Sequence, residues 1–259
     1  MRVVQETITP ARAEQLLKLN THNRPVNKNH LGYLVREMRE GRWQSNGDTI
    51  TLNGKRLIDG QHRLQAIVES GTSQDMIVVY DAPAECFQTK DQGRKRQPGD
   101  ILHIHGVLSS RNVAAALRVV CAYEQGGRSS IFGNSKGAMS ATEIISLYES
   151  HPGIDESSLV GEKVWMVRPS HAAALHYLMA RVDRPAADNF FDGLINGSGS
   201  IKINALRERL MRNKSARGQS LSGATVAAFI IKTWNAVRQN RNLAILKFAQ
   251  GTEEFPEIL

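Results

Sequence analysis

Asp59-Gly60-Gln61-His62-Arg63 marks the point at which a strand is predicted to give way to a helix. Before it, Thr49-Ile50-Thr51-Leu52 alternates polar and apolar residues, as a half-buried strand does. Asn53-Gly54 is a strong signal for a hairpin turn, and Lys55-Arg56-Leu57-Ile58 is predicted to be the partner strand. After it, apolar residues recur at helical spacing from Leu64 to Val68. The five residues are therefore predicted to form a strand-to-helix turn.

A turn of this composition favours anions. The first N–H groups of a helix lack internal partners and carry partial positive charge. Gly60 lets the backbone approach a ligand closely, and Arg63 can hold two phosphate oxygens at once. His62 can donate to another oxygen or act as an acid or base, while Asp59 is placed to hold Mg²⁺ or to accept a hydroxyl proton. The turn therefore predicts a phosphate pocket.

The same residues allow a purely structural interpretation. In it, Asp59 caps the helix, and His62 and Arg63 are ordinary surface residues. The hairpin directly before the turn and the helix directly after it favour the phosphate pocket over this alternative.

The chain from about Arg24 to Asp100 resembles the ParB/sulfiredoxin superfamily. Arg24-Pro25 precedes an amphipathic helix that ends in Glu40-Gly41-Arg42-Trp43, and a strand pair leads into the D-G-Q-H-R box. A later strand, Met76 to Tyr80, completes the pattern. The box is similar to the phosphate-binding box of ParB-type nucleotide-binding domains and of free-serine kinases. The overall layout is similar to that of D-G-Q-H-R proteins found on phage genomes and mobile elements.

The resemblance implies binding of a nucleoside triphosphate, ATP or CTP, with Mg²⁺. It implies that Gly60, Gln61, His62 and Arg63 bind the nucleotide, that Asp59 and His62 are catalytic, and that Asp59 is the metal ligand. Sulfiredoxin chemistry is not expected, because Gln61 stands where sulfiredoxins carry the reactive cysteine. The implied function is Mg²⁺-dependent nucleotide hydrolysis or phosphoryl transfer on or with DNA, and nuclease activity stays open.

A second function of a different class also stays open. It is a non-catalytic DNA-binding, partition-like or regulatory module, in which nucleotide binding switches the conformation without turnover. The sequence shows no clear helix-turn-helix followed by a dimerising tail, which disfavours a partition protein in the strict sense. A homodimer is left open by the resemblance.

A basic segment follows the predicted nucleotide-binding domain. Arg94, Lys95 and Arg96 lie in a loop bounded by Gly and Pro. They are either a solvated loop or functional residues. In the functional interpretation, Arg94 and Arg96 complete the triphosphate site, or the segment grips a nucleic-acid backbone. Similar phage proteins carry an Asp-x-Gly-x-x-Arg pattern here, which favours a functional role and makes Asp91 a candidate second metal ligand.

The predicted fold class is α+β, with two domains. Residues 1–105 are expected to form the small ParB/sulfiredoxin-like α/β domain, and 106–259 an all-helical domain. In the helical part, Arg207, Arg209, Arg212 and Lys214 fall close together. They are either a stripe that binds nucleic acid or the wet face of an amphipathic helix.

Composition sets the outer bounds. The 33 Lys and Arg outnumber the 25 Asp and Glu by 8 in 259 residues, and basic chains often contact nucleic acid, so DNA is an expected partner. No apolar segment approaches the roughly 20 residues that a membrane span requires, and the N-terminus lacks a signal-peptide core. Cys86 and Cys121 are too isolated for a disulfide framework. The sequence therefore predicts a cytoplasmic protein with no membrane contact.

Overall fold

The structure is a computed structural model of the chain. It describes every residue except 22, 24, 55, 84–85, 87–95, 127–138, 216–220 and 244. Contacts between residues divide the chain into two compact units. The first unit comprises Met1–Lys95 and Gly137–Thr142, and the second comprises Arg96–Lys136 and Glu143–Leu259.

The first unit contains a four-stranded mixed sheet with strand order β1-β4-β2-β3. β1 is antiparallel to β4, β2 is antiparallel to β3, and β2 runs parallel to β4. The strands are β1 (Arg2–Ile8), β2 (Thr49–Asn53), β3 (Arg56–Asp59) and β4 (Gln74–Tyr80). The helices of this unit are α1 (Pro10–Leu17), α2 (Lys28–Arg39) and α3 (Gln61–Ser70).

Local sequence signals explain where these elements begin. Thr9 accepts a hydrogen bond from the Arg12 N–H at 3.2 Å, and a proline occupies the first turn of α1. The predicted hairpin is present, with Asn53 paired to Arg56 and Gly54 in the left-handed region at φ +53°. A glycine is suited to this turn because it adopts positive φ without a steric penalty.

The described core of the first unit lies between one face of the sheet and helices α1, α2 and α3. Side chains at alternate strand positions, such as Ile50 and Leu52, join apolar residues of the helices in one buried cluster. Leu64 and Ile67 of α3 are completely buried in it. Since side chains alternate along a strand, Thr49 and Thr51 belong to the opposite face.

The described regular structure of the second unit is helical, as the sequence predicts, but its last residues, 245–259, form no helix. In the described part of the chain after the sheet, the helices are α4 (Pro98–Ile104), α5 (Ser110–Glu124), α6 (Ala141–Glu149), α7 (Ile154–Lys163), α8 (Pro169–Ala180), α9 (Arg184–Asn196), α10 (Ile201–Ser215) and α11 (Gly223–Arg238). α8 is buried along nearly its whole length. In the described part of the chain, no helix is both long enough and apolar enough to cross a bilayer.

The division between the units differs from the predicted boundary at residue 105. α4 packs against α5 so closely that a Cβ on Gly99 would lie 2.9 Å from the Cα of Arg111, which places α4 in the second unit. Of the described residues, 139–142 also belong to the first unit, where the Thr142 hydroxyl donates to the buried Glu37 carboxylate at 2.6 Å. The mixed α/β character agrees with the predicted fold class.

Candidate functional site

The predicted strand-to-helix turn is present at residues 59–63, called the corner below. β3 ends at Asp59, α3 begins at Gln61, and Gly60 between them is left-handed at φ +106°. A Cβ on Gly60 would lie 3.2 Å from the Cα of Ile50 in β2. Glycine is suited to this position for two reasons: it adopts positive φ without a steric penalty, and it has no Cβ to clash with β2.

The N-terminus of α3 has no side-chain cap. Gly60 is the N-cap residue, and its carbonyl accepts the first helical bond from the Leu64 N–H at 2.9 Å. The structural interpretation had Asp59 in the capping role, which the structure does not support. α3 is ten residues long, and the positive end of its dipole lies at the corner. No carboxylate caps this end, because the N-cap residue is a glycine.

The Arg63 side chain contacts three other residues at the corner. Its Nη2 donates to Asp59 Oδ2 at 2.8 Å and to the Thr49 carbonyl at 2.6 Å. Its Nη1 donates to Asp48 Oδ2 at 3.4 Å. The side chain is only 16 % exposed, and its Nε is buried without a hydrogen-bond partner among the described residues. Arg63 therefore joins α3 to the start of β2 and the end of β3, and its buried Nε–H has no described partner.

The two residues before Arg63 are buried and directed toward other parts of the first unit. His62 Nε2 lies 3.0 Å from the N–H of Asn27 and accepts from it, which requires that this nitrogen carry no proton. The His30 ring lies 5.1 Å from the His62 ring. Gln61 Oε1 accepts from the Asn20 amide at 3.1 Å. Both side chains thus help to position α3, and a role for His62 as an acid or base would compete with its bond to Asn27.

Asp48 belongs to this site, and sequence reasoning did not include it. It lies directly before β2, after Gly47 at φ +85°, and its side chain is 53 % exposed. The signal that could have found it is the hairpin itself. An antiparallel pair brings the start of one strand beside the end of the other, so Asp48 comes close to the end of β3.

An open pocket of about 310 Å³ lies beside the corner, on the sheet face opposite the core. The pocket has apolar walls and two threonine side chains, and it is lined by Met1, Thr49, Thr51, Val79, Ala82, Pro83 and Cys86. Thr51 is paired with Asp59 across the strands, and Arg63 holds the Thr49 carbonyl. Small-molecule sites usually combine a mostly apolar concavity with a few polar groups. The volume of this pocket lies near the lower end of the volumes found for such sites.

The acidic residues of the corner fit a shared magnesium ion better than a metal held by protein alone. Among the described residues, no three His, Cys, Asp or Glu side chains form a group that could hold a metal. Mg²⁺, however, commonly takes one or two carboxylates and fills its other positions with phosphate oxygens and water. Asp48 and Asp59 both contact the Arg63 guanidinium, so two carboxylates lie close to one another.

The residues predicted to bind nucleic acid or to complete the triphosphate site lie in two parts of the chain, around residue 94 and on α10. Arg94, Lys95 and Asp91 lie outside the described residues, and Arg96 is exposed at the start of the second unit. On α10, Arg209, Arg212 and Lys214 are exposed, as a surface that binds nucleic acid requires. Arg212 lies 3.7 Å from the Glu208 carboxylate, an exposed pair that contributes little to stability.

Arg207 differs from the other basic residues of α10. Its Nε donates to the Leu194 carbonyl in α9 at 2.9 Å, and its Nη1 lies 3.2 Å from the Met211 sulfur. The guanidinium also packs over Gly197, the residue that ends α9. Arg207 thus satisfies a carbonyl near the end of α9, and its contacts are those of a structural residue.

A second polar group, called the closed cluster below, lies in the second unit. His176 of α8 is fully buried, with Nδ1 2.9 Å from Ser157 Oγ and Nε2 2.9 Å from Asp188 Oδ1. The three residue types are those of a serine hydrolase, but Ser157 is also fully buried, so no substrate can reach its hydroxyl. Burial lowers the pKa of His176, and the nearby Asp188 carboxylate partly opposes this shift. The closed cluster therefore joins α7, α8 and α9.

Comparison of the chain with protein-family models, with curated proteins and with solved structures gives no match. The resemblance to the ParB/sulfiredoxin superfamily therefore rests on residues 59–63 and on the pattern around them, and it stays a prediction. Any function has to be argued from the geometry of the corner and from the charges around it.

Proposed function

We propose that the first unit binds a nucleoside triphosphate, ATP or CTP, with Mg²⁺ at the corner. The observation that carries this proposal is Arg63. Its guanidinium lies beside an uncapped helix start and between two carboxylates, and it keeps one buried donor without a described partner. A guanidinium and a helix N-terminus are both phosphate-binding groups, and carboxylates are ligands of the Mg²⁺ that accompanies a triphosphate.

Each residue of the corner has a role in this proposal. Gly60 lets the phosphates approach the backbone of the α3 N-terminus, and Arg63 contacts their oxygens. Asp59 is the catalytic carboxylate, which holds Mg²⁺ or takes the proton of the acceptor hydroxyl. Gln61 and His62 keep α3 in place through Asn20 and Asn27. The apolar pocket along β2 offers room for the base or the ribose.

The proposed outcome of binding is hydrolysis or phosphoryl transfer on or with DNA. In reactions of this kind, catalysis comes mainly from positioning and from charge stabilisation, which is the work that Arg63 and Asp59 are placed to do. The buried contacts of His62 favour a positioning role over a catalytic one. The alternative is the nucleotide-switched binding module, which needs the same phosphate contacts but no catalytic carboxylate.

The decisive experiment is a thermal-shift panel of ATP, CTP, GTP and UTP with Mg²⁺. A nucleotide at about 100 times its Kd should raise the melting temperature by about 5–10 °C. Arg63→Lys keeps the charge but loses the planar fork, and we expect it to weaken binding by about tenfold or more. Arg56→Ala is the matched control, because Arg56 is an exposed arginine on β3 of the same unit. No shift with any of the four nucleotides would end the proposal.

Asp59→Asn separates the enzyme from the switch. If the corner is catalytic, this variant should lose nucleotide turnover while it still gives a thermal shift. If turnover of the wild type is absent, or is unchanged in Asp59→Asn, the switch is the better description.

DNA binding has its own test. We expect affinity for DNA to fall steeply as salt rises, because each phosphate contact releases a counterion. Arg209→Glu combined with Arg212→Glu should reduce the salt dependence, since both side chains are exposed on α10. A salt dependence near zero in the wild type would remove DNA from the list of partners.

A further inference from the structure

We propose that the outer edge of β1 pairs with β1 of a second copy of this chain. The two strands run antiparallel about a two-fold axis at Val4 and join the two sheets into one continuous sheet. The open edge of β1, the covered edge on the other side of the sheet and the charges along β1 support this pairing.

β1 lies at an edge of the sheet, with β4 as its neighbour. Its seven residues, Arg2–Ile8, pair with β4 in an unbroken register. Among the described residues, no main-chain hydrogen bond reaches β1 from the side away from β4. The side chains of Val3 and Val4 are 59 % and 36 % exposed. A long edge strand with exposed apolar residues presents N–H and C=O groups that a further strand can pair with.

The opposite edge of the sheet, along β3, is protected. β3 has only four residues, and its pairing with β2 is irregular between Thr51 and Leu52. The Leu57 N–H donates to the Leu19 carbonyl at 2.9 Å, and the Leu57 carbonyl accepts from the Asn23 side-chain amide at 2.9 Å. Short length, irregular pairing and a covering segment are the usual protections of an edge strand. β1 has none of them, and it contains no proline, glycine or lysine.

The charges along β1 favour a second copy of the chain as the partner. Arg2 and Glu6 lie four residues apart, so their side chains share one face of the strand, on either side of Val4. Antiparallel pairing centred on Val4 sets Arg2 of each copy directly opposite Glu6 of the other. Opposite charges in such positions stabilise a strand pair. No other antiparallel register of β1 with itself sets these two residues against each other.

Glu6 is already held in place at this edge. Its carboxylate accepts hydrogen bonds from Arg12 Nε at 3.0 Å and from the Tyr80 hydroxyl at 2.6 Å, and its side chain is 26 % exposed. Burial opposes ionisation, but the bonds from Tyr80 and Arg12 outweigh it and lower the pKa of Glu6. Arg2 is exposed, with its guanidinium 4.9 Å from the centre of the Tyr80 ring. The edge thus presents a positioned anion and an accessible cation.

The test is sedimentation equilibrium of the full chain over a range of concentrations. We expect the wild type to dimerise. Arg2→Glu sets like charges opposite each other in both pairs, and it should raise the dissociation constant of the dimer by at least about tenfold. Arg56→Glu is the matched control, because it makes the same change at an exposed arginine on the protected edge strand β3. This control should dimerise as the wild type does.

A mixing experiment separates lost pairing from lost folding. Glu6→Arg should also fail to dimerise alone, since it sets two arginines opposite each other. An equimolar mixture of the Arg2→Glu and Glu6→Arg chains restores opposite charges in both pairs. We expect this mixture to form a heterodimer with close to the wild-type affinity.

Cross-linking tests the register without a change of charge. Val4→Cys places two thiols opposite each other at the two-fold axis, within the range that a disulfide spans. It should give a chain of doubled mass under oxidation. Val3→Cys is the matched control, because residue 3 lies opposite Gln5 in this register and should cross-link less. The wild type, with Cys86 and Cys121, gives the background.

Two results would overturn the pairing of β1 with itself. One is a wild type that sediments as a monomer at every concentration. The other is a dimer that Arg2→Glu does not weaken and that Val4→Cys does not cross-link, which would assign the contact between copies to another surface.

Discussion

The corner and the closed cluster both place a histidine among residues that can do chemistry, yet they differ in access and in unused bonding capacity. At the corner, the Asp48 side chain is half exposed, a pocket adjoins β2, and Arg63 keeps a donor without a described partner. In the closed cluster, both ring nitrogens of His176 are in use, and the ring and the Ser157 hydroxyl are fully buried. Residue types alone would favour the closed cluster over the corner as an active site. Burial favours the corner, because no substrate can reach the Ser157 hydroxyl.

The comparison teaches that a polar group contributes to function only where a ligand can replace its partners. The hydrogen bonds of the closed cluster hold three helices together, and breaking these bonds would leave buried polar groups unpaired. The bonds of the corner are made to carboxylates near the surface, which a cation or a phosphate can exchange. Substitutions in the interior of the second unit should therefore lower the free energy of unfolding and leave nucleotide binding unchanged.

The largest expected effect comes from Gly161→Ala, which should force apart the two helices that carry Ser157 and His176. A Cβ at this position would lie 2.5 Å from the Ala173 N atom and 2.6 Å from the Pro169 carbonyl oxygen, both backbone atoms that cannot turn aside. We expect a loss of about 3 kcal/mol in the free energy of unfolding, measured by urea denaturation.

Gly32→Ala provides the control for Gly161→Ala. Gly32 lies inside α2, and the nearest atom to its added Cβ is the end of the Arg36 side chain at 3.9 Å. Alanine is the better helix former, so this variant should gain about 0.5–1 kcal/mol. Similar effects of the two substitutions would mean that α7 and α8 are not packed as described.

Acid is the second way to test the interior of the second unit. Burial, with a smaller contribution from Arg168, lowers the pKa of His171 from 6.5 to about 4. The unfolded chain therefore takes up the proton first, so stability is fully present above pH 6.5 and is lost as the pH falls toward 4. The loss is up to about 3 kcal/mol, to be measured by urea denaturation at a series of pH values.

The control for the acid experiment is a pair of variants. His171→Gln should flatten the loss of stability between pH 6.5 and 4, and His105→Gln, at an exposed position, should leave it in place. The pKa of His176 is also lowered by burial, so part of the slope should persist in His171→Gln. A slope unaffected by His171→Gln would contradict the assignment.

The smallest expected loss of stability comes from Ser157→Ala, which separates the two sites most directly. It leaves His176 Nδ1 without the hydroxyl at 2.9 Å, and should cost about 1–2 kcal/mol. The nucleotide-induced thermal shift should stay as in the wild type, because Ser157 belongs to the second unit. Loss of the nucleotide response in this variant would assign the closed cluster a function that its burial argues against.

The sequence predicted the local elements well, because each had a nearby signal. The hairpin follows from Asn53-Gly54, and the start of α1 from Thr9-Pro10. The left-handed turn before α3 follows from Gly60. The helical character of the second unit likewise follows from apolar spacing. These features depend on residues within a few positions of one another.

The sequence did not predict contacts between residues that lie far apart along the chain. Asp48 reaches Arg63 across 15 positions through the register of the hairpin, and Glu37 meets Thr142 across 105. The closed cluster joins residues of three helices. No local pattern specifies such contacts, because they depend on how whole elements pack, and for the same reason the boundary at residue 105 missed the packing of α4 on α5.

The amino-acid sequence by itself determined a glycine turn between a strand and a helix, with Asp59 and Arg63 on either side of the start of that helix. Only the tertiary structure decided what those side chains touch. The hairpin brings a second carboxylate to Arg63, while α2 receives His62 and buries it. The physical reason is that backbone conformation responds to neighbours along the chain, whereas burial and charge pairing respond to neighbours in space.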